Sequence, residues 1–346
     1  MEKSREIFDQ LGNPRKKEDV ERAEERARLQ MVENAPKDPE LQEFLANIDF
    51  GLLKSIFQKI AEKSGIDPKT LNFLERERIS PLVPDWTSAG CYFPDKNIIG
   101  ISASRIAKIA EDLGAPENLL LLSTLCHEET HATSKVMCSG SDNINDFPIK
   151  IKTLTGYHSS TREQESSGAP SKRNSLFQLF NEGVTEKLAR EVLKLYIASF
   201  GEGTGVVKKF EKMQKEIPEE LPYTVAIKFI ETFSKRLAYE THVSEDSAWR
   251  ALVRGMYEGE DMLNWELWKE LDMLITPGFV ERLADGDLHK LFPKLAIPLK
   301  NPINGSVQWR ISRLIKKFGK FIMGVSLYPH KLHPEHDHYR KPDHKK

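Results

Sequence analysis

The chain has 346 residues, of which 39% are hydrophobic and 30% are charged, and its formal net charge is −1. This composition is typical of a soluble globular protein, and no apolar run reaches the roughly 20 residues of a membrane-spanning helix. The charged N-terminus has no apolar core and 3 cysteines suggest no disulfide framework, so we expect a cytoplasmic protein without a signal peptide.

The first third of the chain predicts helices and two short strands. Residues 1–40 predict a charged helical arm. Apolar residues recur at every fourth position across residues 41–64, which predicts an amphipathic helix, and residues 67–78 predict another. Two short strands are predicted on either side of a turn at residues 94–97, followed by a helix over residues 103–113.

The segment LLLLSTLCHEETHATSK predicts a helix over residues 116–135 that carries the motif HExxH. Positions four apart share a helix face, so His127 and His131 can hold one metal ion between their rings. Glu128 lies beside the first histidine, where it can take a proton from a metal-bound water. The alternative is that both histidines are unrelated helix residues.

Residues 141–174 are rich in Ser, Gly and Asn and surround an alternating run at residues 147–155. This pattern predicts a β-ribbon flanked by loops, which could form a wall or lid over a cleft.

A second helix, starting near an N-cap at Ser175, carries the segment NEGVTE. Glu182 and Glu186 share a face, and two like charges four residues apart are unfavourable unless a cation or a histidine compensates them. Gly183 costs about 1 kcal/mol relative to alanine inside a helix, which makes sense where another helix or a metal site must approach closely. The alternative is an exposed acidic face with an incidental glycine.

HExxH followed by a helix bearing Asn-Glu-x-x-Thr-Glu resembles the gluzincin metallopeptidases, the thermolysin-like branch of the zincins. The resemblance implies that Glu128 is the general base, that Glu186 hydrogen-bonds a zinc-ligand histidine, and that Asn181 lies in the same surrounding layer. It also implies a strand bordering the cleft, for which residues 97–102 are the candidate. The implied zinc ligands are His127, His131 and Glu182.

The resemblance covers two short segments. Fifty residues separate His131 from Glu182, more than the short spacer of thermolysin-like enzymes, so it carries no substrate preference. In the gluzincin pattern a tyrosine and a downstream histidine help to stabilise the oxyanion, and the positional candidates are Tyr157 and His242. The alternatives are a packed strand aromatic and a loop residue. The third metal ligand could instead come from His158 or His289.

Two imidazoles and one carboxylate leave the fourth zinc position for water. Zinc lowers the pKa of that water to about 7 and polarises a carbonyl oxygen. Glu128 would accept the proton of the water and pass it to the leaving amine. Another divalent ion could replace Zn2+, because sites of this composition bind several metals.

The chain after Glu186 is predicted to be nearly all helical, with helices over residues 210–215, 222–239, 245–257 and 263–274. Core packing is the expected role of its tryptophans, Trp249, Trp265 and Trp268.

The C-terminal region is basic: from Leu288 onward it has 13 Lys/Arg and 3 Asp/Glu. A basic amphipathic helix over residues 307–327 can make weak contact with an anionic surface, although we favour a helix that closes the core. No specific nucleic-acid partner is predicted. Residues 329–346 predict a disordered, histidine-rich tail that could bind metal weakly.

These elements predict an α+β, predominantly helical, zincin-like fold. A small mixed sheet and the HExxH helix would form an N-terminal lobe, residues 41–140, and residues 175–328 would form a helical lobe with the third ligand. The predicted function is zinc-dependent hydrolysis of a peptide or protein substrate. One alternative is an inactive zincin-fold regulatory protein that uses its basic C-terminal region, against which the intact Glu128 argues. Another is hydrolysis of a non-peptide amide. The sequence does not indicate the oligomeric state.

Overall fold

A computed structural model describes residues 5–8, 37–82, 88–94, 96–139, 149–164, 172–200, 222–259, 282–283, 285–286 and 291. Across these residues the protein is α+β and mostly helical, as predicted. None of the described helices combines the length and the apolar character needed to cross a membrane. The predicted features that lie outside the described residues are most of the N-terminal arm, the helices at 210–215 and 263–274, Trp265, Trp268, His289, the basic helix at 307–327 and the tail at 329–346.

The single helix predicted over residues 41–64 is two helices, α1 (Pro39–Ala46) and α2 (Phe50–Lys63). Asp49 interrupts the apolar pattern, because its side chain accepts a hydrogen bond from the backbone N–H of Leu52 and so caps a new helix. The backbone N–H of Asp49 donates to the hydroxyl of Tyr196 at 2.9 Å, which fixes the break against a distant helix. The N-cap at Asp49 therefore divides the segment into two helices, although the apolar periodicity continues through it.

The helix predicted over residues 67–78 is also absent. Two short 3-10 helices, Pro68–Thr70 and Arg76–Arg78, stand in its place with extended backbone after the first. The backbone N–H of Leu74 donates to the side chain of Glu129. These residues are thus bonded to the HExxH segment instead of to one another, which pattern analysis of the local sequence does not reveal.

The first sheet consists of β2 (Ile79–Pro81), β3 (Gly90–Phe93) and β4 (Ile98–Ile101), in the order β2-β4-β3. It is mixed, because β2 pairs with β4 in parallel and β3 pairs with β4 antiparallel. The predicted hairpin is therefore confirmed. The choice of residues 97–102 as the strand bordering a cleft is wrong, since β4 has a neighbour on both sides and β3 lies at the edge.

Two helices follow the first sheet and agree with the predicted positions within two residues. Helix α3 (Ala103–Leu113) ends at Gly114, whose φ of 59° suits glycine. Helix α4 (Glu117–Thr133) carries the HExxH motif. Most of its residues are buried, including Leu121, Leu125 and Ala132.

The predicted β-ribbon is part of a second, larger sheet, whose strands are β1 (Arg5–Phe8), β5 (Val136–Ser139), β6 (Ile149–Thr155), β7 (His158–Gln164) and β8 (Lys172–Leu176). The strand order in this sheet is β1-β5-β6-β7-β8. Strand β1 pairs with β5 in parallel, and all other neighbours are antiparallel. The prediction of a helical arm is wrong for β1, because that short segment gains its backbone partners from the strand that directly follows α4.

Three further helices complete the described fold: α5 (Gln178–Ala198), α6 (Pro222–Thr241) and α7 (Glu245–Glu258). Ser175 belongs to β8, so its prediction as the N-cap of α5 is wrong, and α5 instead follows Phe177, whose φ is 58°. The core between α5 and α6 is aromatic. Phe180 of α5 packs edge-on against the rings of Phe229 and Phe233 in α6.

Gly183 lies where α5 crosses α6. A Cβ atom at this position would lie 2.8 Å from the backbone oxygen of Ala226 and 2.8 Å from a side-chain carbon of Ile230. Both distances are shorter than real contacts, and a helix backbone cannot move aside cheaply. The glycine therefore permits the close helix approach that the sequence suggested.

We expect Gly183→Ala to lower the free energy of unfolding by about 1–2 kcal/mol. Overpacking costs about 1–3 kcal/mol, which exceeds the gain in helix propensity of about 1 kcal/mol. Urea denaturation measures this change. The control is Gly51→Ala in α2, whose Cβ would meet only the Asp49 side chain at 3.3 Å, and it should lower stability less than Gly183→Ala does. A Gly183→Ala protein as stable as that control would contradict the crossing geometry.

Candidate metal centre

Helix α4 places His127 and His131 one above the other, as their spacing of four requires. Their ring centroids are 4.9 Å apart and the ring planes are inclined by 76°. The two Nε2 atoms are 3.2 Å apart. The side chains are only 13% and 12% exposed, so the pair lies in a sheltered position that solvent still reaches.

Helix α5 brings a carboxylate to the same point. Oε2 of Glu182 lies 3.2 Å from Nε2 of His127 and 3.4 Å from Nε2 of His131. A tetrahedral zinc ion with ligand distances of 2.0–2.2 Å requires its ligand atoms to be about 3.3–3.5 Å apart. The three atoms therefore form a triangle of the size that one face of such a site needs. This group of residues can hold a metal ion.

Two adjacent residues of α5, Thr185 and Glu186, contact the Nδ1 atoms of the two imidazoles. Nδ1 of His127 donates to Oε2 of Glu186 at 2.8 Å. Because an ionised carboxylate only accepts hydrogen bonds, this contact places a proton on Nδ1 and directs Nε2 toward the ligand triangle. Oγ1 of Thr185 lies 3.5 Å from Nδ1 of His131. This contact is longer than the one to His127, but it involves the same ring atom, Nδ1.

Glu128 is buried, with 6% exposure, and lies between α4 and the edge strand β3. A Cβ atom at Gly90 would lie 2.8 Å from Oε1 of Glu128 and 2.6 Å from a methyl carbon of Thr124. The backbone N–H of Tyr92, also in β3, donates to the Glu128 carboxylate. The glycine thus lets β3 approach closely enough to hold this carboxylate beside the two histidines.

Burial and pairing act in opposite directions on the charged groups of this cluster. Burial raises the pKa of Glu128, and the neighbouring His127 and His131 offset this only in part. Burial would also raise the pKa values of Glu182 and Glu186, but their interactions with the imidazoles outweigh it and lower both.

The same competition acts on His127. Burial would lower its pKa, but the hydrogen bonds to Glu182 and Glu186 raise it well above the ordinary value. The carboxylates around His127 thus favour a positive charge at this position. A divalent cation at the ligand triangle would meet the same carboxylates.

Tyr157 and Asn181 join the second sheet to the helices. The Tyr157 side chain is 3% exposed, and its hydroxyl donates to the backbone carbonyl of Leu252 in α7. Oδ1 of Asn181 accepts the backbone N–H of Tyr157 at 2.9 Å. These contacts correspond to the packing alternative for Tyr157. They are not evidence for the predicted role of Tyr157 in stabilising the oxyanion. They are also not evidence that Asn181 contacts a metal ligand.

Two further histidine candidates, His242 and His158, lie among the described residues, and neither belongs to the ligand triangle. His242 is exposed in the turn between α6 and α7, with a φ of 56°, which corresponds to the loop alternative. His158 begins β7 and pairs with Thr155 of β6. Within the described part of the chain, the ligand-type side chains that converge are His127, His131 and Glu182, the set that the resemblance implied.

Two residues of the cluster were missed in the sequence. Apart from its position in the segment NEGVTE, nothing in the sequence indicated a contact between Thr185 and a histidine. Arg190 donates from Nε to Oε1 of Glu186 at 2.8 Å. The spacing of four between these two residues on a predicted helix is a recognisable sign of an ion pair.

Comparisons with known proteins give no match to a family model, to a curated protein or to a solved structure. The chemistry of the cluster rests on its own atoms. Three ligand atoms converge, one imidazole has a firm hydrogen-bond partner, and a buried carboxylate lies beside them. Such a set can bind a divalent ion, with the Glu128 carboxylate close enough to the two histidines for their charges to affect it.

Proposed function

We propose that the protein is a zinc-dependent peptidase of gluzincin type, built on a zincin-like fold. The observation that carries this proposal is the triangle of Nε2 of His127, Nε2 of His131 and Oε2 of Glu182, with sides of 3.2–3.4 Å. Two imidazoles and one carboxylate are typical of catalytic zinc sites, which keep one coordination position open. A purely structural zinc site is usually closed by four protein ligands and needs no neighbouring base.

When bound, zinc polarises the substrate carbonyl and acidifies a water molecule. Glu128 accepts the proton of the attacking water and returns it to the leaving amine. Burial raises the pKa of Glu128, which makes it a stronger base than a solvated carboxylate. The backbone N–H of Tyr92 holds that carboxylate in place, while Glu186 fixes the orientation of His127.

The resemblance of the two motifs to those of the gluzincin metallopeptidases favours a peptide as the substrate over a small amide. Strand β3 lies close to Glu128, because Gly90 has no side chain to separate them. We therefore propose that the peptide bond to be cleaved lies beside Glu128, next to β3.

Metal removal tests the proposed activity. We expect the zinc-loaded protein to cleave members of a mixed peptide library, as detected by mass spectrometry. Cleavage should fall to background after treatment with EDTA and return when zinc is added in slight excess. Zinc-saturated EDTA is the control, because it adds the same molecule without removing zinc from the protein. Cleavage that persists in protein shown to be metal-free by elemental analysis would contradict the proposal.

A further inference from the structure

The carboxylate of Glu186 has a different partner on each oxygen. Oε2 accepts from Nδ1 of His127 at 2.8 Å, and Oε1 accepts from Nε of Arg190 at 2.8 Å. Arg190 follows Glu186 by one helical turn of α5. The Glu186 side chain is 16% exposed and that of Arg190 is 26% exposed, so solvent reaches both partners of this pair.

We propose that Arg190 is a positioning residue of the metal centre, which acts through Glu186 on His127. This inference rests on the proposed binding of zinc by His127. A partly exposed glutamate has freely rotating side-chain bonds and can turn toward water. The guanidinium fixes one oxygen of Glu186, and the rigid geometry of the carboxylate then aims the other oxygen at Nδ1 of His127.

Arginine suits this role because it keeps its charge and its donors over the whole accessible pH range. Orientation matters for metal binding, since an imidazole held by an outer hydrogen bond loses less freedom when it becomes a ligand. The alternative is that Arg190 forms an ordinary ion pair on the surface of one helix. Such pairs contribute little to stability and nothing to a metal site.

The next residue of α5 offers a matched comparison. Glu191 accepts hydrogen bonds from the guanidinium of Arg250 and from Nε1 of Trp249. Both partners belong to α7, so this cluster joins two helices and does not include a metal ligand. Arg250→Ala therefore removes the arginine partner of another α5 glutamate without changing the proposed support of His127.

The test measures the dissociation constant of zinc by competition with a chromophoric chelator. Loss of a direct outer partner costs about 10–100-fold in affinity, so we expect Arg190→Ala, one contact further out, to cost about threefold to tenfold. Arg190→Lys should recover part of the loss, because it restores the charge without the planar donor geometry. Arg250→Ala should leave the constant unchanged.

A double-mutant cycle separates positioning from a general structural effect. If Arg190 acts through Glu186, adding Arg190→Ala to Glu186→Ala should cause no further loss of zinc affinity. The visible spectrum of the cobalt-loaded protein should also change in the Arg190→Ala variant and stay the same in the Arg250→Ala variant.

Equal losses in both backgrounds, or no loss in the unaltered background, would overturn the inference alone. Failure of the unaltered protein to bind zinc would overturn the proposed function and this inference with it.

Discussion

Glu128→Gln is expected to lower the rate of peptide hydrolysis by about 10²–10⁴-fold while the protein keeps its zinc. The amide has nearly the same shape as the carboxylate but cannot accept the proton of the attacking water. Glu128 is absent from the ligand triangle, so the change removes no metal ligand. Initial rates and zinc content, measured on the same preparation, check both halves of this expectation.

Glu129→Gln is the matched control, because it makes the same substitution at the next residue. Glu129 is fully buried, and its side chain accepts a hydrogen bond from the backbone N–H of Leu74. The amide oxygen of glutamine can accept the same hydrogen bond. Burial raises the pKa of Glu129 well above its usual range. Hydrolysis and zinc content should both stay at the level of the unaltered protein.

The same pair of variants separates catalysis from a regulatory role. In a non-catalytic zincin-fold protein, Glu128→Gln would change neither metal content nor partner binding, and the unaltered protein would show no zinc-dependent turnover. Hydrolysis by the Glu128→Gln variant at the original rate would show that another group acts as the base. Loss of zinc together with activity would assign Glu128 a role in building the site.

Glu182→Ala is expected to weaken zinc binding by more than about 100-fold, because loss of an outer hydrogen-bond partner alone costs about 10–100-fold. Glu182 supplies the only ligand atom of the triangle that comes from α5. Without it, two imidazoles on one helix remain, and zinc would need further water ligands. Competition titration measures the change, and hydrolysis at a fixed low zinc concentration should fall with it.

Glu191→Ala controls for the removal of a carboxylate from the same helix. Its side chain is 25% exposed and pairs with Arg250, so the variant should lose stability without losing zinc affinity. A Glu182→Ala protein that binds zinc as tightly as the Glu191→Ala protein would show that the third ligand lies elsewhere. Glu182→Gln, which preserves side-chain volume, should also bind zinc weakly if the ligand charge matters.

Local periodicity was sufficient to predict the parts of the fold that carry the candidate site. The spacing of four in His127 and His131 and in Glu182 and Glu186 sets which side chains share a face, whatever surrounds the helix. Gly183 likewise indicated a close helix approach, because it is unfavourable in a helix unless space is short.

The elements that were predicted wrongly depend on partners distant in the chain. Asp49 ends one helix and starts another where its backbone meets Tyr196. Leu74 is bonded to Glu129, and Arg5–Phe8 forms a strand only because Val136–Ser139 lies beside it. Tyr157 was a positional candidate for catalysis with packing as its alternative, and the bond from its hydroxyl to α7 is another contact that the sequence does not indicate. No local pattern encodes contacts of this kind.

We propose that two imidazoles of α4 and one carboxylate of α5 bind a single zinc ion. This can be tested by anomalous diffraction at the zinc edge on crystals of the zinc-loaded protein. We expect one strong peak about 2.0–2.2 Å from Nε2 of His127, Nε2 of His131 and Oε2 of Glu182. A zinc peak bound elsewhere, for instance by the histidines of residues 329–346, with none at this triangle, would contradict it.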